Sequence, residues 1–337
     1  MTSRQRFLDA LNFKKSDRMP VVEWAPWWDK TLTRWTGEGM PISTPYNDEE
    51  TAAYFGLDIM KMLTITGTTA ETPAETSHGA GIISGEASYE RIRPTLYSDK
   101  LIEQQVAEAR RIKARHDNGD FVIRLWLDGF FWFPRILFGI ENHLYAFYDY
   151  PELMHRINQD LTDYNIRAIE AIFPILKPDM VGFGEDMSYN HGPMISYELF
   201  EEFIMPYYRQ INPVIKKYDV KVMLDSDGDI YKMIPWMREA GIDGVYPLER
   251  QAGVDLTRIR EEYPKFLLMG GYDKMVMSKD EPAMRAEFER LLPVMRSGGF
   301  ISSVDHQTPP EVSMENYKIY MKLFHEYAAK AAGCMDD

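Results

Sequence analysis

VMLDSDGDIYKMIP, residues 222–235, is the stretch on which the fold turns. The apolar run Val222–Leu224 stops at Asp225, Ser226, Asp227 and Gly228. A short apolar run bounded by turn residues reads as a buried strand that surfaces at its C-terminal end. The same pattern recurs along the chain. MPVVEW (19–24), IMKMLTI (59–65), FVIRLWL (121–127), DMVGFGE (179–185), VKVMLD (220–225), GIDGVYPL (241–248), FLLMGG (266–271) and FISSV (300–304) all read as strands. Several of the segments between them have apolar residues at helical spacing. SYELFEEFIMPYYRQINPVIKKY (196–218) starts with Ser196 as a cap, and EPAMRAEFERLLPVMRSGG (281–299) ends in the helix stop Gly298–Gly299.

Strands alternating with helices imply an α/β fold with a parallel sheet, and eight of them imply one TIM-type (β/α)8 barrel. The chain has 337 residues, which suits a single barrel domain spanning 1–337. ETPAETSHGAGIISGEASYERIRPT (71–95), rich in Gly, Ser and Thr, reads as an inserted hairpin after the second strand, near the barrel mouth. The formal net charge of -14 disfavours non-specific binding to nucleic acid or anionic membranes. Cys334 is the single cysteine, so disulfide frameworks, four-cysteine zinc sites and iron–sulfur clusters within one chain are excluded. The opening residues lack the apolar core of a signal peptide and no apolar stretch approaches a membrane span, so a cytoplasmic location is expected.

In such barrels the active site gathers at the C-terminal ends of the strands. Those ends carry Glu185, Asp186, Tyr189 and His191 after the fourth strand, Asp225 and Asp227 after the fifth, Glu249 and Arg250 after the sixth, and Asp305 and His306 after the eighth. Carboxylates converging on one mouth need a divalent metal, a cationic substrate or raised pKa values to coexist. With a histidine beside them they make a mixed O/N metal site. Each piece has a plainer reading: D-x-D-G is also a helix-capping turn, His306 could be a hydrogen-bonded structural histidine, and Glu185–Asp186 could be a loop or cap. GGYD (270–273) is too short for a nucleotide fingerprint, and no Walker or G-x-S-x-G element is present.

GFGEDMSYNHGPMISYELFEEFIMPYYRQI (182–211), the D-S-D-G element, AGIDGVYPLERQAGVDL (240–256), LLMGGYDK (267–274) and GGFISSVDHQTPPEVSMENY (298–317) resemble the uroporphyrinogen decarboxylase superfamily. The opening RQRFLDALNFKKSDRMPV (4–21) is similar to that family's start. The resemblance implies a (β/α) barrel and one of two chemistries: cofactor-free decarboxylation of uroporphyrinogen, or methyl transfer involving a corrinoid protein. The decarboxylase branch has an Arg-Gln-Ala-Gly-Arg element after the first strand, where this chain reads VVEWAPWWDKTLTRW (21–35). Its catalytic aspartate falls near the second strand, where this chain reads IMKMLTITGTT (59–69), although its late histidine matches His306. Some methyltransferases hold zinc with H-x-C-G and a later Cys. At the matching places this chain has Asp225-Ser226-Asp227-Gly228 and Asp305–His306.

The resemblance therefore implies a corrinoid-linked methyltransferase, a demethylase of a small or aromatic donor. Asp225, Asp227, His306 and Glu185 would hold a divalent metal, with zinc the expected ion. Glu185, His306 and Asp227 would act in catalysis, Glu185 by protonating the leaving group. Trp24, Trp28, Phe130, Phe131, Tyr189 and Glu249 would contact substrate, the aromatic groups as pocket walls or as a docking surface for the corrinoid protein. A homodimer is expected, as in relatives. Two alternatives stand beside this one. The first is a decarboxylase of a non-tetrapyrrole acid, using Asp225 or Glu185 as proton donor without metal. The second is a non-catalytic barrel that binds a small amine cation within aromatic walls.

Overall fold

The structure, a computed structural model, describes residues 1–25, 27–41 and 48–332; Cys334 lies outside them. Seven parallel strands form one sheet in sequential order: β1 (Met60–Ile65), β2 (Val122–Asp128), β3 (Met180–Gly184), β4 (Lys221–Asp225), β5 (Gly244–Tyr246), β6 (Leu267–Tyr272) and β7 (Phe300–Val304). Helices connect successive strands, so the sheet curls in the TIM-barrel manner. Side chains alternate between its two faces. Ile123, Leu125, Val181, Phe183, Val222, Leu224, Leu268 and Phe300 pack outward against the helices. Val122, Met180, Met223, Tyr246, Met269 and Ile301 point into the barrel.

The first helix, Ser3–Leu11, adds Phe7, Ala10 and Leu11 to that inner cluster. The Gly299 amide donates to the Ala10 carbonyl, which ties the helix to the N-terminal end of β7. One end of the barrel is thereby plugged and the C-terminal ends of the strands form the open mouth.

Two sequence expectations are corrected. MPVVEW (19–24) is not a strand. It lies between the edges β1 and β7, where an eighth strand would lie, but side chains hold it rather than a backbone ladder. The Glu23 carboxylate accepts from the Ser303 hydroxyl (2.6 Å), the Val304 amide (3.2 Å) and the Tyr320 hydroxyl (2.9 Å). On the other side the Val21 amide donates to the Asp58 carboxylate at 2.9 Å. Apolar β-propensity is satisfied here by burial, while inserted carboxylates take the amides that a ladder would use. The stretch 71–95 is not a hairpin either. It is a run of turns with one bridge, Ala80 to Gly139, ending in the helix Glu86–Ile92. The helical expectation for 196–218 holds as two helices, Tyr197–Phe203 and Met205–Lys216, with Pro206 restarting the second. No described helix is long and apolar enough to cross a membrane.

Candidate metal centre at the barrel mouth

β3 and β4 lie side by side, with Gly184 opposite Asp225. Beyond β3 the chain turns sharply, and the amides of Glu185 and Asp186 both donate to the Asp225 carbonyl, at 2.9 and 3.2 Å. Asp186 takes a left-handed backbone (φ 45°), a conformation that aspartate tolerates better than most residues. Ser226 is buried and anchors the turn: its amide donates to the Tyr246 carbonyl and its hydroxyl accepts from the Met187 amide at 3.1 Å. Gly228 has φ 85°, and a Cβ there would stand 2.7 Å from the Tyr189 backbone, so only glycine fits. Ser226 and Gly228 thus shape the turn, and the two aspartates are left to face one another. The result is a cluster in which one carboxylate oxygen from each of Asp186, Asp225 and Asp227 lies within 4.8 Å of the others.

His306 stands beside this cluster, outside the set of three, with Nε2 3.8 Å from an Asp227 oxygen. Trp24 packs edge-on against both His306 (6.4 Å) and Tyr246 (5.2 Å), so it forms a wall beside the cluster. Among the described residues no Lys or Arg lies in an ion pair with Asp186, Asp225 or Asp227. Lys274 instead bonds Glu249 at 3.2 Å and stands 3.8 Å from Asp305. Glu249 also accepts from the Gly228 amide at 3.1 Å, so it braces the D-S-D-G turn. Asp305 accepts from the amides of Arg250 and Lys274, at 2.9 and 3.1 Å, and is buried.

The electrostatics follow from burial and crowding. Burial, followed by Asp186 and Asp227, pushes the Asp225 carboxyl far above the usual carboxylate range, against the pull of Arg124. Burial and the charges of Asp186 and Glu249 push Asp227 up to about 7. Asp186 is raised chiefly by burial, and Asp305 to about 6 by the same cause. Burial and Lys274 lower His306, which keeps its imidazole lone pair available near neutrality. A site so arranged holds protons at neutral pH unless a cation replaces them.

Other expected site residues lie elsewhere. Glu185 is fully buried and its oxygens are engaged. They accept from the amides of Phe130 (2.9 Å), Phe131 (2.7 Å) and Trp132 (3.1 Å), and from the Tyr208 hydroxyl. Burial raises its carboxyl to about 7 while those four donors oppose the rise. Glu185 therefore orders the turn before the helix Trp132–Phe138, and Asp186 takes its expected place at the cluster. Phe130 and Phe131 are core residues, packed on Phe183 and Tyr208 and on His143 and Phe147 respectively, and neither can line a pocket. Trp28 is exposed at the start of the helix Asp29–Gly37. Tyr189 is half-exposed on a small antiparallel ribbon, Ser188–Tyr189 with Gly192–Pro193, above the D-S-D-G turn. The sequence reading assigned no role to Arg124 and Lys274. A charged residue inside the strand pattern of FVIRLWL was the available signal for Arg124.

A curled parallel α/β sheet of seven strands with helices between them is consistent with a TIM-type fold, and acidic groups gather at its C-terminal mouth. Residues 135–327 match the family model for uroporphyrinogen decarboxylase (URO-D), and the chain belongs to that family. No curated protein sequence matches it. Among solved structures it is similar to a methyltransferase from Methanosarcina mazei, with TM-score 0.72 and 15% identity over 97% of this chain and 99% of that one. At that identity the similarity establishes a common fold. A weaker similarity, TM-score 0.44 with 12% identity over 96% of this chain and 98% of the other, is to a putative vitamin-B12 independent methionine synthase from Listeria monocytogenes. It bears on nothing further.

Proposed function

We propose that the chain is a metal-dependent methyltransferase of the uroporphyrinogen decarboxylase family that passes a methyl group from a small donor to a corrinoid protein. The observation that carries this reading is the cluster of Asp186, Asp225 and Asp227 beside His306. Three carboxylates, none of them in an ion pair with Lys or Arg among the described residues, and a nearby imidazole form a donor set suited to a divalent ion with oxygen and nitrogen ligands, zinc included; Arg135 bonds the Asp186 backbone carbonyl, not its carboxylate. Asp186, Asp225, Asp227 and His306 would hold it, and Glu185 would not. When bound, the ion would supply Lewis acidity at the donor's oxygen or nitrogen, which makes that atom a better leaving group.

The protein's own groups do the rest. Trp24 shields one side of the mouth and packs edge-on against the His306 ring. Lys274 fixes Glu249, which holds the Gly228 amide and so the separation of Asp225 from Asp227. Asp305, with its carboxyl near 6, can hold or release a proton beside Lys274. The test is incubation of the metal-loaded protein with methoxylated and N-methylated small molecules and reduced cobalamin, followed by absorbance. Methylation that depends on protein and metal supports the reading. Carbon dioxide released from a carboxylic acid by metal-free protein would favour the decarboxylase instead.

A further inference from the structure

Arg124 lies on the inner face of β2 and only 4% of it is exposed. Its Nε and Nη1 are buried with no acceptor among the described residues. Nη2 touches the Met62 sulfur at 3.2 Å. The guanidinium is instead surrounded by rings, 5.9 Å from Trp24, 5.7 Å from Trp126 and 5.5 Å from Tyr246. Such rings ease the burial of a cation but leave its N–H edge unsatisfied. The Tyr246 hydroxyl is buried within reach of this guanidinium and has no other partner among the described residues.

Glycines make room for this arrangement. A Cβ on Gly182 would collide with the Tyr246 hydroxyl and stand 3.4 Å from Arg124 Cδ, and one on Gly184 would collide with Trp126. Arg124 pairs in register with Met180, and its side chain rises past Gly182 toward the level of Asp225. The missing eighth strand leaves a gap in the wall between β1 and Glu23, Trp24, Ala25 and Trp27. That gap is a cavity of about 530 Å³ that reaches Arg124 past Trp24, Met60 and Met62. Glu23, Glu49, Asp58 and Glu108 also line it, but Glu49 is paired with Lys61 and Arg115, Asp58 with Arg18, Glu108 with Arg111, and the Glu23 oxygens accept from Ser303, Val304 and Tyr320, which leaves Arg124 as the buried cation with unfilled N–H groups.

We propose that Arg124, with the Tyr246 hydroxyl, binds the carboxylate of a small organic acid whose apolar body lies against Trp24, Met60 and Met62. A carboxylate matches the planar donor edge of a guanidinium, and burial strengthens the pair. Given the reading of the acidic mouth as the reacting centre, on which this rests, the substrate is an acid anchored at Arg124 beneath Asp225.

The test is binding of acetate, propionate and benzoate to the full-length protein by calorimetry and by tryptophan fluorescence, with benzamide as the neutral counterpart of benzoate. Wild-type protein should bind benzoate at least about tenfold more tightly than benzamide, by the strength of a charge-assisted pair. Arg124→Gln should remove that preference, and Arg124→Lys should keep part of it. The preference should persist in chelator and in an Asp225→Asn, Asp227→Asn protein. Equal binding of benzoate and benzamide, or no binding of any of the three acids, overturns the proposal. A preference lost with the aspartates but kept in Arg124→Gln overturns it too, by placing the acid on a metal. If Arg124→Gln does not fold, the wild-type and Arg124→Lys comparison still decides. Arg124-dependent binding without methyl transfer would sink the proposed function and leave this inference standing.

Discussion

Replacing Asp227 with Asn should stabilise the metal-free protein at alkaline pH and do little at acid pH. Carboxylate oxygens of Asp186, Asp225 and Asp227 lie within 4.8 Å of one another. At that separation and an effective dielectric near 20, each ionised pair repels by about 3.5 kcal/mol. Folding raises the Asp227 carboxyl from its ordinary value near 3.9 to about 7. Taken at face value this is about 4 kcal/mol. The side chain is 39% exposed, and solvent screening reduces that to roughly 1–2 kcal/mol. The sign follows from proton binding. A carboxyl whose folded pKa is raised keeps its full contribution below about 4 and loses it as pH rises toward 7. Asparagine carries no such loss, so the advantage of the variant grows between pH 5 and pH 8. With an unfolding entropy of about 0.7 kcal/mol/K for 337 residues, the gain at pH 8 is about 1.5–3 °C. The assay is calorimetric melting in chelator at pH 5 and pH 8. Divalent ion should reverse the order: at a hundredfold excess over Kd, wild-type protein gains about 2.7 kcal/mol, or about 4 °C, and the variant far less. Equal shifts at both pH values, or a loss at pH 8 in chelator, would refute the reasoning.

Glu185→Ala should cost about 3–5 kcal/mol, because it orphans three backbone amides, and should leave metal content unchanged. Metal loss without a fall in melting temperature would show Glu185 to be a ligand after all. Gly182→Ala should destabilise by about 1–3 kcal/mol in a urea melt, because its methyl group meets the Tyr246 hydroxyl. Glu23→Ala should speed hydrogen exchange at the Val304 amide, which loses its carboxylate acceptor. Unchanged protection would mean that the 19–25 segment does not depend on Glu23.

Seven of the strands lie where the apolar runs of the sequence put them, because parallel strands buried on both faces read as apolar runs ended by turn residues. The first run, MPVVEW, misled for a physical reason: Val21 and Val22 are buried, but Glu23 and Asp58 take the amides that pairing would have used. The candidate site was half-legible. Asp225 and Asp227 lie close together at one strand end with Asp186 from the next, while His306 stands 3.8 Å from Asp227 beside them. Glu185 and Asp186 are adjacent in sequence, and which of them faces the mouth depends on the left-handed turn at Asp186. The aromatic residues after β2 could not be assigned to pocket or core, since Phe130 and Phe131 differ from a pocket wall only in what packs on them. Arg124 becomes meaningful only when rings from three parts of the chain surround it.

The most direct test is the metal content of the purified protein by mass spectrometry, beside an Asp225→Ala, His306→Ala protein of unchanged fold. About one divalent transition-metal ion per chain is expected in the wild type and almost none in the variant. No metal in the wild type, and none taken up on incubation with zinc or manganese, would contradict it and return the aspartates to proton transfer or turn formation.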